Sequence, residues 1–368
     1  MSSSITLSDL RSFAVSRSLF RPTTLVRAIE RLGFVQADPI RAPARAQDLT
    51  LRHRVKGYHA GDLERRYVAL GIEEDFLVNY GFMPRATQVL MHPRSGAVVA
   101  VRGKKAQSLL EFVRARDAVH PREVDEHFAH GSVTNYWGGS SSATTHLLTR
   151  LHYRGALRVA SRAGGVRLYA VHAHEPGPSD RAGRRASLDR LVDIVVRVYA
   201  PLPASSLAWF VNRLRYAVPQ WTGDLKRALE RAKARLAHAR VGQTDWYWPA
   251  GESATSGTPD RVVRFLAPFD PVVWDRRRFE LLWGWSYRFE AYTPAPKRKF
   301  GYYALPLLWR DRVVGWGNLS VVDGALRAQV GYVDGGPPRE PGFSRELRAE
   351  LDGIREFLRL ERRAVELS

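Results

Sequence analysis

Gln36 and Asp38 flank a single alanine in the stretch Phe34-Val35-Gln36-Ala37-Asp38-Pro39. Pro39 pushes Asp38 away from helical geometry. In the extended backbone that results, side chains alternate, so the amide and the carboxylate share one face. Two readings fit residue types and spacing: a strand end in which Asp38 caps the next turn, or a polar face offered to a ligand. A basic stretch follows at 44–58, read as a helix that carries Arg45, Arg52, His53, Arg54 and Lys56. Such a run is either a solvated face or a surface for anions. A second basic group, Lys297, Arg298 and Lys299, sits between prolines and aromatics in a loop suited to phosphate, or simply an exposed turn. Asp270, Asp275 and Arg276–Arg278 could also bind a ligand, but residues of this kind more often form structural ion pairs.

Composition narrows the chemistry. The 368 residues contain no cysteine, which excludes disulfides, thiolate metal sites and cysteine nucleophiles. Histidines show no metal-ligand spacing with carboxylates, so neither a metal nor a cofactor is expected. The glycine-rich phosphate loop, the dinucleotide fingerprint and the GxSxG elbow are all missing. So is the LPGVG-like loop of a hairpin-helix-hairpin glycosylase. No apolar run approaches membrane length, and a cytoplasmic protein without a membrane partner is expected. Lys+Arg total 57 against 37 Asp+Glu, a net charge of +20. Seven of those cations are lysine. Arginine binds phosphate with two parallel hydrogen bonds and stacks on bases, so the bias suits nucleic acid.

These groups need elements to hold them. Thr23–Leu32 reads as a helix with Gly33 as its C-cap. Residues 104–172 give helix, helix, helix and a two-stranded hairpin about Ala163-Gly164-Gly165, the order of a winged helix. The third of those helices begins after Ser140–Ser142, buries Leu147, Leu148 and Leu151, and ends at Gly155. Residues 175–185 read as a linker. A second helix-rich unit with a short extended pair follows, then three antiparallel strands turning at Arg310-Asp311 and Asp323-Gly324, and a terminal helix. The expectation is a mainly helical α+β protein with modules at 1–103, 104–174, 175–260 and 261–368.

The stretches LGFVQADPI…ARAQDLTLRHRV and LAPFDPVVWDRRRFELLWGWSYRFEAYTPAPKRKFGYY, with the winged-helix order of 104–172, resemble the bacterial crosslink-repair DNA glycosylases of the YcaQ/AlkZ type, a winged-helix superfamily. The matching stretches span most of residues 25–320. That resemblance implies three tandem winged-helix modules forming a C-shaped, positively charged DNA channel, beside the C-terminal antiparallel strands and helix read above. It implies a catalytic Q-Φ-Q or Q-Φ-D motif, onto which Gln36 and Asp38 fall, with Ala37 smaller than the branched residue usual at Φ. It also implies double-stranded DNA bearing alkylated or crosslinked guanine as substrate, in repair or in self-resistance to a genotoxin, acted on by a monomer.

N7-alkylguanine is already cationic, so it leaves with little acid catalysis while the sugar gains oxocarbenium character. Asp38 would stabilise that charge and orient or deprotonate water, and Gln36 would hold the water or the sugar. Lys56 is the lysine nearest the motif in sequence, which favours hydrolysis over a Schiff-base lyase. DNA contacts are expected from Arg45, Arg52, His53, Arg54 and Lys56, from Arg150 on the third helix, from Arg162 and Arg167 on the wing, and from Lys297, Arg298 and Lys299. The alternative is a winged-helix DNA-binding regulator without enzymatic activity.

Overall fold

The computed structural model describes residues 5–95, 103–128, 131–134, 140–172, 180–255, 257–361 and 365–367. Helices and antiparallel sheets make up two compact units, neither of them one continuous stretch of chain. The first comprises residues 1–62, 193–209 and 232–368, the second residues 63–192 and 210–231.

The first unit is organised by a five-stranded sheet. Its strands Val263–Phe265, Leu305–Trp309, Arg312–Val322 and Ala325–Tyr332 pair antiparallel in that order, and Glu366–Leu367 adds a parallel edge. The two turns expected from sequence are where they were placed. Asp323 and Gly324 both adopt positive φ (50° and 76°), the backbone that matches the twist of a tight hairpin. The Phe343–Phe357 helix packs against the Val263–Phe265 strand. Leu266, Val272, Val273, Phe279 and Leu308 close a core with Val15 of the Leu7–Ser18 helix and Leu19, which caps its C-terminus.

A buried ion pair joins distant parts of this unit. Arg54 is 0 % exposed and grips the Asp270 carboxylate at 2.7 and 3.0 Å. It also donates to the Ser18 and Thr50 carbonyls and to Ser18 Oγ. Asp275 caps the Arg276–Trp283 helix by accepting from the Arg278 amide, and Arg278 is buried against the Pro271 carbonyl. Asp270, Asp275 and Arg278 are therefore structural.

In the second unit, the helices Lys104–Arg114, Pro121–Phe128 and Ala143–Arg154 precede a hairpin of Leu157–Ala163 and Val166–Val171. Ser142 Oγ caps the third helix and Gly155 ends it in the left-handed region, with Leu148 and Leu151 buried and Leu147 half-buried. Gly164 and Gly165 supply the two positive φ values of the hairpin turn. The 175–185 segment is not wholly a linker. Asp180 accepts from the Gly183 amide and a helix runs from Arg181 to Tyr199, while 175–179 lie outside the described residues.

The strand pair Ile72–Phe76 and Tyr80–Pro84 was not anticipated. Its Glu73, Glu74 and Asp75 are all buried, and each finds arginine. Glu73 pairs with Arg85 and Arg158, Glu74 with Arg162, and Asp75 with Arg94 and His92. The Arg94 guanidinium beside Asp75 holds its carboxyl well below the usual carboxylate range, against the opposing effect of burial. Buried charges persist only when paired this completely.

Candidate active site around Gln36 and Asp38

Thr24 caps the Leu25–Leu32 helix, and Gly33 ends it at φ 77°. The chain then extends through the two-residue strand Val35–Gln36, against which the short Ala46–Leu51 helix packs. Gln47 on that helix is buried, and its Oε1 accepts the Asp38 amide at 3.2 Å. Asp38 Oδ1 accepts the Ile40 amide at 2.9 Å, so the residue does cap the following turn. That bond occupies one oxygen. Oδ2 has no hydrogen-bond partner among the described residues. Burial raises the Asp38 carboxyl above its ordinary value, partly offset by the Ile40 amide. Gln36 is 6 % exposed, and its Oε1 has no partner among the described residues. Buried amide oxygens are nearly always satisfied. This unmet acceptor lies two residues from a carboxylate that has one oxygen unengaged.

The segment 287–304 carries two tyrosines that feel the Asp38 charge, and it is held by three anchors. The buried carboxylate of Glu290 accepts the amides of Lys299 and Phe300 at 2.7 to 3.0 Å. Asn318 Nδ2 donates to the Phe300 carbonyl, and the Tyr287 hydroxyl to the Ala304 carbonyl. Gly301 sits at φ 114°, where a Cβ would fall 2.3 Å from Asn318 Oδ1, so this approach requires glycine. The Asp38 charge acts on the phenols of Tyr292 and Tyr303, raising both alongside burial. Lys297 and Lys299 are exposed on the same segment, and Arg298 is tied to the Thr293 carbonyl.

The expected 44–58 helix spans only Ala46–Leu51, and the turns after it send most of its basic residues inward. Arg52 forms an ion pair with Glu350, both side chains under 10 % exposed. His53 is buried, bonding the Phe265 carbonyl through Nε2, and burial lowers it well below the ordinary histidine value. With Arg54 held by Asp270, these three are interior residues and not a DNA-facing surface. Arg45 is half-buried near Asp48; Lys56 is exposed. In the second unit, Arg150 is exposed, whereas Arg162 is nearly buried against Glu74 at 2.6 Å. Arg167 lies 3.6 Å from Glu74 and over the Tyr80 ring. Arg162 therefore serves the fold, and Arg167 is partly engaged by it.

Gln47, Glu290 and Tyr303 were not anticipated from sequence. The aromatic pair after Gly301 was the available signal for Tyr303.

The family model of AlkZ-like DNA glycosylases matches residues 29–357. The chain belongs to that family. This makes it an enzyme, a DNA N-glycosylase acting on a DNA substrate. The fold agrees: the structure of the Streptomyces sahachiroi DNA glycosylase AlkZ superposes with a TM-score of 0.65 at 14 % identity, covering 99 % of this chain and 100 % of that one. No helix among the described residues of the glycosylase is long and apolar enough to cross a membrane.

Proposed function

We propose that this glycosylase hydrolyses the N-glycosidic bond of N7-alkylguanine in duplex DNA by a monofunctional mechanism, with Asp38 and Gln36 as its catalytic pair. The observation that carries the reading is the unpartnered Gln36 Oε1 beside the half-satisfied Asp38 carboxylate. As the C1′–N9 bond breaks, its electron pair returns to the purine and cancels the charge that alkylation placed there. Positive charge then develops on the sugar, and a partly buried carboxylate stabilises it more than a solvated one would. Asp38 takes the proton of the attacking water, and Gln36 Oε1 accepts the water's other hydrogen. The products are free alkylguanine and an abasic sugar.

The helix-helix-helix-hairpin order of 104–171 supports winged-helix DNA binding, and the family resemblance implies such modules in tandem around a channel. Such a channel would admit a base that is crosslinked to the opposite strand and cannot be fully extruded. Arg45, Lys56, Arg150, Arg167, Lys297 and Lys299 are the sequence-derived contacts that retain exposed or half-exposed side chains. A duplex carrying one N7-methylguanine, incubated with enzyme and then heated in alkali, tests the reading. Cleavage at the adduct above the enzyme-free control, with no borohydride-trapped covalent complex, is expected. Absence of alkali-labile sites under single-turnover conditions contradicts the substrate assignment, and a trapped complex contradicts the mechanism.

A further inference from the structure

Tyr303 is 3 % exposed, yet its hydroxyl has no hydrogen-bond partner among the described residues. Buried tyrosines usually bond through the hydroxyl, because leaving it unmet forfeits the interaction it had with water. The neighbouring buried phenol shows the ordinary solution, since Tyr287 donates to the Ala304 carbonyl at 2.7 Å. Tyr303 lies at the end of a segment fixed by Glu290 and Asn318, and its ring stands edge-on to Phe289 at 5.3 Å, 86°. The phenol is thus rigidly placed with nothing to bind. Its position relative to the candidate pair follows from two observations. Asp38 is near enough for its charge to raise the phenol, after burial the larger cause. In addition, Tyr303 and the residues that follow Asp38, Arg41 to Pro43, line one open cleft of about 950 Å³.

We infer that Tyr303 is a third catalytic group of the glycosylase, donating its hydroxyl hydrogen to the water that Gln36 and Asp38 hold for attack on C1′. The inference rests on the reading of Gln36 and Asp38 given above. A nucleophilic water has two hydrogens and two lone pairs. Asp38 and Gln36 Oε1 both accept, so they engage the hydrogens and leave the water free to rotate about them. One lone pair must point at C1′, and a donor on the other fixes that direction. Burial and the adjacent carboxylate both push the Tyr303 phenol upward, so it remains a protonated donor throughout the working range. The proton lost by water goes to Asp38; Tyr303 keeps its own.

Tyr303→Phe separates this role from a packing role, because the ring is preserved and only an unpartnered hydroxyl is removed. Single-turnover excision of N7-methylguanine should fall by about 10- to 100-fold. Affinity for the same duplex should stay within about twofold, and the thermal midpoint should be unchanged or higher, since no intramolecular hydrogen bond is lost. Incorporation of 3-fluorotyrosine at 303, which keeps the donor, should restore the rate to within about threefold of wild type. A Tyr303→Phe rate within about twofold of wild type per folded molecule overturns the inference, whatever the midpoint does. So does a slow variant that the fluorotyrosine fails to rescue. Asp38→Asn run in parallel keeps the two claims apart. If it loses excision while Tyr303→Phe does not, Tyr303 alone is excluded; if it retains excision, the reading of the whole site has failed.

Discussion

Replacing Arg54 with methionine should unfold the first unit far more readily while leaving DNA binding by the folded protein unchanged. The guanidinium makes five hydrogen bonds at 2.6 to 3.1 Å, two of them to Asp270, and both side chains are fully buried. Methionine occupies much of the same volume but leaves the interior Asp270 carboxylate with the Val272 amide as its remaining hydrogen bond among the described residues. Breaking a buried pair by removing one partner costs about 3–5 kcal/mol, because a charge is stranded. Removing both charges is much less harmful, so Arg54→Met with Asp270→Leu should recover at least half of that loss. Urea denaturation followed by tryptophan fluorescence reads the stability, and fluorescence anisotropy at graded salt reads binding below the unfolding transition. A surface arginine on a phosphate would give the opposite pattern, with an unchanged midpoint and a salt slope smaller by about 0.9. That pattern would refute the interior assignment of this residue.

Lys297→Gln with Lys299→Gln should flatten the salt dependence of duplex binding by about two in log–log slope, leaving the single-turnover rate at saturating enzyme within about twofold. An unchanged slope would remove this loop from the DNA interface. Acid should weaken the second unit through His152, which is buried, bonds the Glu74 carbonyl through Nε2, and is held down to about 4 from 6.5 mainly by burial. Its contribution is fully present above the unfolded value and is lost as pH falls from 6.5 toward 4, amounting to about 2 kcal/mol at pH 5. His152→Gln should therefore narrow the difference between urea midpoints at pH 7 and pH 5, and an undiminished difference would assign the acid sensitivity elsewhere.

Much of the architecture was legible because its signals are local. The turns at Gly164-Gly165 and Asp323-Gly324, the cap Ser142, and the stops at Gly33 and Gly155 all act within a few residues of where they sit. What escaped depends on partners distant in sequence. Glu73, Glu74 and Asp75 look like solvated acids until Arg94, Arg158 and Arg162 arrive from elsewhere. The basic run at 52–54 reads as one charged helix face, and only Asp270, Glu350 and the Phe265 carbonyl turn it inward. Asp180 was a visible cap signal within a stretch whose prolines and glycines suggested a linker. The same division runs through the site. Gln36 and Asp38 share a short motif and could be paired from spacing, whereas Tyr303, whose phenol the Asp38 charge raises, comes from the distant Glu290-anchored loop.

The central claim is that the Asp38 carboxylate acts on the reacting sugar and its water. The most direct measurement is the single-turnover rate of N7-methylguanine excision by Asp38→Asn, with duplex affinity and thermal midpoint recorded on the same preparation. Asparagine keeps the shape and the acceptor that caps Ile40, but it neither stabilises positive charge nor takes a proton. Excision should fall by about 10²-fold or more, with affinity within a few-fold and the midpoint nearly unchanged. In wild type, the rate should decline as acid protonates Asp38, at a pH above the ordinary aspartate value because burial raises this group. A near wild-type rate in Asp38→Asn would contradict the account and leave Asp38 as a turn cap alone.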